Sequence, residues 1–233
     1  FDDPIPKTTK ALVEPFRVST KEGETIAAAL RRNVDDAVRA AAACDPRSDA
    51  RHGVNVANAA LGARLLGASN EHYGPAVQVI SPLPPLNMFD GLESARSRIP
   101  GSCEWVIIQL AWPCRIDAIS LDFTYFVNNN PKDVSVDVIC ADSACSATID
   151  DEHSERHYLP LVPRTHVKPF AASTKVFKRG AILNRENDLT SVAAAWSRDD
   201  AVIVRVRTFP CGGINRVKVF SLTLPPPQLL SET

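Results

Sequence analysis

Between Asp90 and Pro100 the chain reads DGLESARSRIP, placing Glu93, Arg96 and Arg98 on one short polar stretch. Planar guanidinium groups bind carboxylates through paired N–H donors, and a nearby carboxylate accepts from the N–H groups of the same ligand. The competing reading is a solvated loop with surface ion pairs. A second candidate is His153 and His157, set among Asp150, Asp151, Glu152 and Glu155. Two imidazoles four residues apart share a helix face and suit a metal ion, but an acidic hydrated loop gives the same pattern. Six cysteines (Cys44, Cys103, Cys114, Cys140, Cys145 and Cys211) form no Cys-x-x-Cys pair, and four sit in or beside expected strands. They read as reduced thiols packed as small apolar residues, with no base at a recognisable spacing to activate Cys103 or Cys211.

The elements that would hold these groups are mostly strands. Trp105, Val106, Ile107, Ile108 and Leu110 form a nearly continuous apolar run, as in a strand covered on both faces. Ile119, Leu121 and Phe123 alternate with Ser120, Asp122 and Thr124, and Val134, Val136 and Val138 with Ser135 and Asp137, the period of two expected of strands. Further strands are expected at Tyr158–Val162, Lys175–Phe177, Val192–Trp196, Val202–Thr208 and Arg216–Leu222, with Arg205 and Arg207 directed away from the Val202, Val204, Val206 face. Short strands separated by turns, without a crossover helix, predict an antiparallel sandwich or jelly roll. The prolines, 18 against 10 glycines, fall near the ends of the apolar runs, where a missing N–H does not interrupt a ladder.

Upstream, residues 1–20 read as an extended arm with Phe16 among its few apolar side chains. Ser19 and Glu22 resemble a capping box for a helix reaching Cys44, with Ile26, Leu30, Val34 and Val38 along one Ala-rich stripe. These segments, 1–53, are expected either to cover the sandwich or to dock on other protein subunits through Phe16 and the helix stripe. The β domain is expected over 54–224 and an extended tail over 225–233.

A net charge of −1 and a pI near 6.6 disfavour nucleic acid and anionic membrane surfaces as partners. No apolar run approaches the roughly 18 residues of a membrane helix. A soluble intracellular protein is expected, and a start at Phe1 is compatible with a processed organellar protein, for example a mitochondrial one.

Several separated stretches resemble one repeat of the allantoicase family: NVANAALGARLLGASNEHYGPAVQVI, MFDGLESARSRIPGSCEWVIIQL, IDAISLDFTYFVNNNPKDVSVDV, LPLVPRTHV and FPCGGINRVKVFS. The resemblance spans about residues 54–222. It implies a jelly-roll β-sandwich of the galactose-binding-like type. It also implies a kinship with enzymes that are built from two such repeats and hydrolyse allantoate to ureidoglycolate and urea. On that likeness Glu93, Arg96, Arg98, Arg164 and His166 form a relic site, the arginines holding a carboxylate and Glu93 the ureido nitrogens. The chain departs from the family pattern at polar positions. Leu92 and Ala95 replace a Trp and an Arg, Ser102-Cys103-Glu104-Trp105 replaces Gly-His-Asp-Trp, and Tyr125-Phe126 and Asn128-Asn129-Asn130-Pro131 replace a turn with His-Phe and Gly-Asn. Cys211-Gly212-Gly213 replaces Asp-Gly-Gly. The loss of a His fit for proton transfer and of a carboxylate implies a non-catalytic accessory subunit of a larger assembly, without a cofactor. Allantoate hydrolysis and small-anion binding are the alternatives.

Overall fold

A computed structural model describes residues 53–144, 157–167, 174–179, 181, 190–223 and 225. The arm with Phe16, the helix with Ile26, Leu30, Val34 and Val38, His153, and the tail beyond Pro225 lie outside them.

The strands are β1 (Val54–Asn55), β2 (Arg64–Ala68), β3 (Leu92–Glu93), β4 (Glu104–Cys114), β5 (Ala118–Asp122) and β6 (Asp133–Cys140). They continue with β7 (Leu159–His166), β8 (Thr174–Lys178), β9 (Ala201–Phe209), β10 (Gly213–Ile214) and β11 (Arg216–Ser221). Besides short 3-10 turns, the helices are α1 (Ala141–Ala144) and α2 (Thr190–Ser197). One antiparallel sheet has the order β2-β4-β9-β6-β7, the second β1-β11-β5-β8, and β3 and β10 form a separate two-residue ladder. Strands distant in sequence are neighbours, as in a jelly roll.

Alternation explains the core. Val106, Ile108 and Leu110 from β4, Val134, Val136 and Val138 from β6, and Val204 and Val206 from β9 face one interior. Ile119, Leu121, Val217 and Val219 reach the same interior from β5 and β11. The opposite face of the larger sheet is not bare. Arg205 does leave the Val204–Val206 face, as expected, yet it is 4 % exposed, because Asp137 pairs with it at 3.1 Å and the Tyr158 ring lies 3.8 Å from its guanidinium carbon. The carboxylate and the aromatic face satisfy a cation that burial alone would disfavour.

One expected strand is a helix. Val192–Trp196 lies in α2, where Val192, Ala195 and Trp196 are buried and Ala193 and Ala194 are exposed. That spacing belongs to a 3.6-residue period, and three consecutive alanines favour the helix. Trp196 docks α2 on β7, its indole N–H donating to the Leu161 carbonyl. Among the described residues four cysteines are free thiols: Cys114 and Cys140 are buried, Cys103 and Cys211 half-buried. Burial pushes the Cys114 and Cys140 thiols up to about 11 each. No described helix is long and apolar enough to cross a membrane.

Candidate functional site

The β3–β10 ladder pairs Glu93 with Gly213 and Leu92 with Ile214, and so lays the loop after Glu93 beside the loop before Gly213. The glycines are required there. Gly212 has a φ of 141°, and a Cβ on Gly213 would lie 2.3 Å from the Phe126 ring. Behind the ladder stands Arg216, 1 % exposed, although it opens a strand. Its guanidinium donates to the carbonyls of Leu83 (2.7 Å), Asn215 (2.7 Å) and Asp90, and to Asp90 Oδ2 (3.0 Å). A side chain with five donors in a fixed fork can gather this many acceptors at once. Arg216 thereby ties the stretch Leu83–Asp90 to the sandwich and fixes the entry to β3.

Beyond β3 the loop is pinned by its backbone and short side chains. Asn70 Oδ1 accepts from the Ala95 N–H (3.1 Å), Ser94 Oγ from the Gly212 N–H (3.0 Å), and Cys211 Sγ from the Ser97 N–H (3.3 Å). Arg96 and Arg98 are left exposed on a fixed backbone. They line a cleft of about 710 Å³ with Glu93. Its second wall is Asn128–Lys132, its third is His166 and Val167 at the end of β7, and Pro210–Gly212 and Tyr73 complete it. Glu93 Oε1 accepts from the Asn129 side-chain amide at 2.6 Å, joining two walls.

The cleft therefore brings together Glu93, Arg96, Arg98 and His166, four of the five residues expected at one site. Arg164 is the exception. Its guanidinium is held by Asp133 Oδ2 (2.7 and 2.8 Å) and stacks 4.2 Å above the Phe209 ring, and it does not line the cleft. Alternation places Arg164 and His166 on one face of β7, and both reach the carboxylate that β6 presents opposite them. His166 Nδ1 is 3.1 Å from Asp133 Oδ1. Burial raises the Asp133 carboxyl, and hydrogen bonds and charge from Arg164 and His166 outweigh it, leaving the group below the usual carboxylate range.

Lys132, Tyr73 and Asp133 were not singled out by the sequence, and Asn129 was named only as a departure from the family turn. Lys132 and Asn129 sit in a turn that reads only as Asn-rich, and Tyr73 comes from a stretch without clear periodicity. The metal expectation gains nothing among the described residues, where no three of His, Cys, Asp and Glu come together, and His157 stands apart from the cleft. Cys103 also lies outside it.

This sandwich and cleft span the stretches that carried the resemblance, and residues 54–223 match the allantoicase repeat as a sequence family. The chain belongs to the allantoicase-repeat family. Among curated relatives, a probable allantoicase of Pseudomonas paraeruginosa is 30% identical over 167 residues, 72% of this chain and 45% of the relative. One of Photobacterium profundum is 29% identical over the same shares. The crystal structure of allantoicase from Saccharomyces cerevisiae superposes with a TM-score of 0.55 at 24% identity, covering 72% of this chain and 43% of that one, a likeness of fold. The chain spans less than half the length of these relatives. In this allantoicase-repeat domain Leu92, where the family pattern expects Trp, is buried in the core. Cys211, where it expects Asp, lines the cleft.

Proposed function

We propose that this allantoicase-repeat domain is a non-catalytic accessory subunit of a larger protein assembly. The observation that supports it is the acid–base inventory of the cleft. Among the described residues its one lining carboxylate, Glu93, is engaged by Asn129, a thiol, Cys211, stands where the resemblance implies a carboxylate, and His166 is the one imidazole. Arg164 is turned onto Asp133. A hydrolase needs one group to deliver a proton and another to accept one within reach of the ligand, and beside His166 the described lining offers only a carboxylate already taken by Asn129. The assembly contacts are assigned to Phe16 and the Ile26, Leu30, Val34, Val38 stripe, and an organellar, for example mitochondrial, setting belongs to the same reading. Deleting residues 1–45 is expected to abolish co-purification of partner subunits, and unchanged association would remove that assignment.

A second reading is favoured by one feature. The Asp133–His166 pair stands at the cleft wall, with the imidazole held at Nδ1, the arrangement by which a carboxylate orients a proton-transferring His. With Arg96 and Arg98 to hold a carboxylate, that geometry suits a hydrolase acting on allantoate. The experiment is incubation of the purified full chain with allantoate, with and without divalent metal, while urea and ureidoglycolate are measured. No turnover is expected. Sustained turnover that disappears in both Arg96→Ala and His166→Gln would establish the hydrolase instead.

A further inference from the structure

Three cations meet at the cleft: Arg96 and Arg98 from the loop after β3, and Lys132 from the turn before β6. All three are exposed, and none makes an ion pair among the described residues. Among the described residues the only carboxylate lining the same cleft is Glu93, already hydrogen-bonded by Asn129. A chain of net charge −1 has thus gathered an excess of positive charge at one concave place. Such a field selects an anionic ligand and rejects a basic one.

Size and the apolar lip decide what kind of anion. About 710 Å³ falls in the range, ~300–1,000 Å³, of clefts that bury a ligand of many atoms, well beyond a lone carboxylate. A large aromatic side chain stands exposed in it: Tyr73 in the lining is 57% exposed. An exposed aromatic ring among arginines is the composition of a protein-recognition patch. A small hydrophilic acid leaves that lip wet, whereas a peptide covers it.

We infer that the cleft is a docking groove for an extended acidic segment of a partner protein, whose carboxylates meet Arg96, Arg98 and Lys132 and whose apolar side chains cover Tyr73. This inference rests on the accessory-subunit reading and names a second contact for it, separate from the N-terminal helix.

The test uses the full chain and fluorescence anisotropy of a labelled octapeptide alternating Glu and Leu, beside a counterpart alternating Gln and Leu. The Glu peptide is expected to bind at least about tenfold more tightly than the Gln peptide, and the double reversal Arg96→Glu with Arg98→Glu is expected to erase that preference. Tyr73→Ala is expected to weaken binding about threefold, as loss of an aromatic anchor does. Arg64→Glu, exposed on β2 outside the cleft, is expected to leave binding unchanged. Circular-dichroism melts establish that the variants are folded. Equal binding of the two peptides, or binding that survives the double reversal, overturns the inference. A loss with Arg64→Glu as large as with the double reversal does the same, by showing diffuse electrostatics. Displacement of the peptide by free succinate at the peptide's own Kd assigns the cleft to a small acid and also overturns it. Allantoate turnover by the same preparation bears on the accessory reading alone, so the two failures are told apart.

Discussion

Replacing Arg216 by Met keeps an unbranched stem in the buried channel and removes every donor of the guanidinium. The Leu83, Asp90 and Asn215 carbonyls and the Asp90 carboxylate then lose the group that holds them. Asp90 retains some solvent, at 31% side-chain exposure against 2% for Arg216, so water takes over part of the carboxylate's loss but little of the carbonyls'. An unsatisfied buried polar group costs about 1–3 kcal/mol, and removing one partner of a buried ion pair about 3–5 kcal/mol. We expect Arg216→Met to destabilise the domain by about 3–4 kcal/mol, the lower part of that range because Asp90 is partly wet. Against a total stability of about 5–15 kcal/mol, that is a large fraction. Arg216→Lys keeps the charge and loses the fork, and is expected to cost about 1–3 kcal/mol. Equilibrium urea denaturation followed by Trp fluorescence measures both. A loss below about 1 kcal/mol for Arg216→Met would show that the hydrogen bonds to Leu83 and Asp90 contribute little, and would refute the brace.

Three other outcomes are expected. Cys114 and Cys140, with thiols raised to about 11, remain unlabelled by iodoacetamide in the native protein at pH 8 and are labelled after denaturation, as read by peptide mass mapping. Asp133→Asn loosens both Arg164 and His166 and costs about 1 kcal/mol or less at pH 7, since Arg164 is largely solvated. Because the folded Asp133 carboxyl lies below its ordinary value, the contribution is present above about pH 4 and fades as pH falls through the folded value, so urea melts of wild type and variant converge in acid. Trp196→Ala removes the side chain that seats α2 on β7, with an expected loss of about 3–5 kcal/mol in the same melts, and a loss under about 1 kcal/mol would show that α2 is loosely attached.

The sandwich was legible because its strands obey local rules. The Val134, Val136, Val138 and Ile119, Leu121 alternations specify which face turns inward, and both faces are where that pattern puts them. The helix at Val192–Trp196 was not legible as such, since five apolar residues fit a short strand and a helix segment equally until the partner of Trp196 is known. The site divides the same way. Glu93, Arg96 and Arg98 fall within six residues and could be found together in the sequence, and the likeness to a family brought His166 to them. That Arg164 pairs with Asp133 and does not line the cleft was not legible, because its neighbour across the sheet is fixed by the β6–β7 register, which no local pattern encodes. Lys132 and Tyr73 reach the cleft from opposite ends of the described domain's first half, and only the folded chain shows them as neighbours of one space.

The two-residue ladder of β3 and β10 has a consequence for how such a domain changes over time. It is held by the Arg216 brace and by glycines, none of which carries a functional group into the cleft. The arginines and lysine are exposed and make no ion pair among the described residues, so exchanging them is nearly neutral for stability, typically within about 0.5 kcal/mol. A lineage can therefore drift through many rim chemistries without passing through an unfolded intermediate. The scaffold acts as a permissive mount, on which a site for chemistry and a site for adhesion are separated by a few silent exchanges.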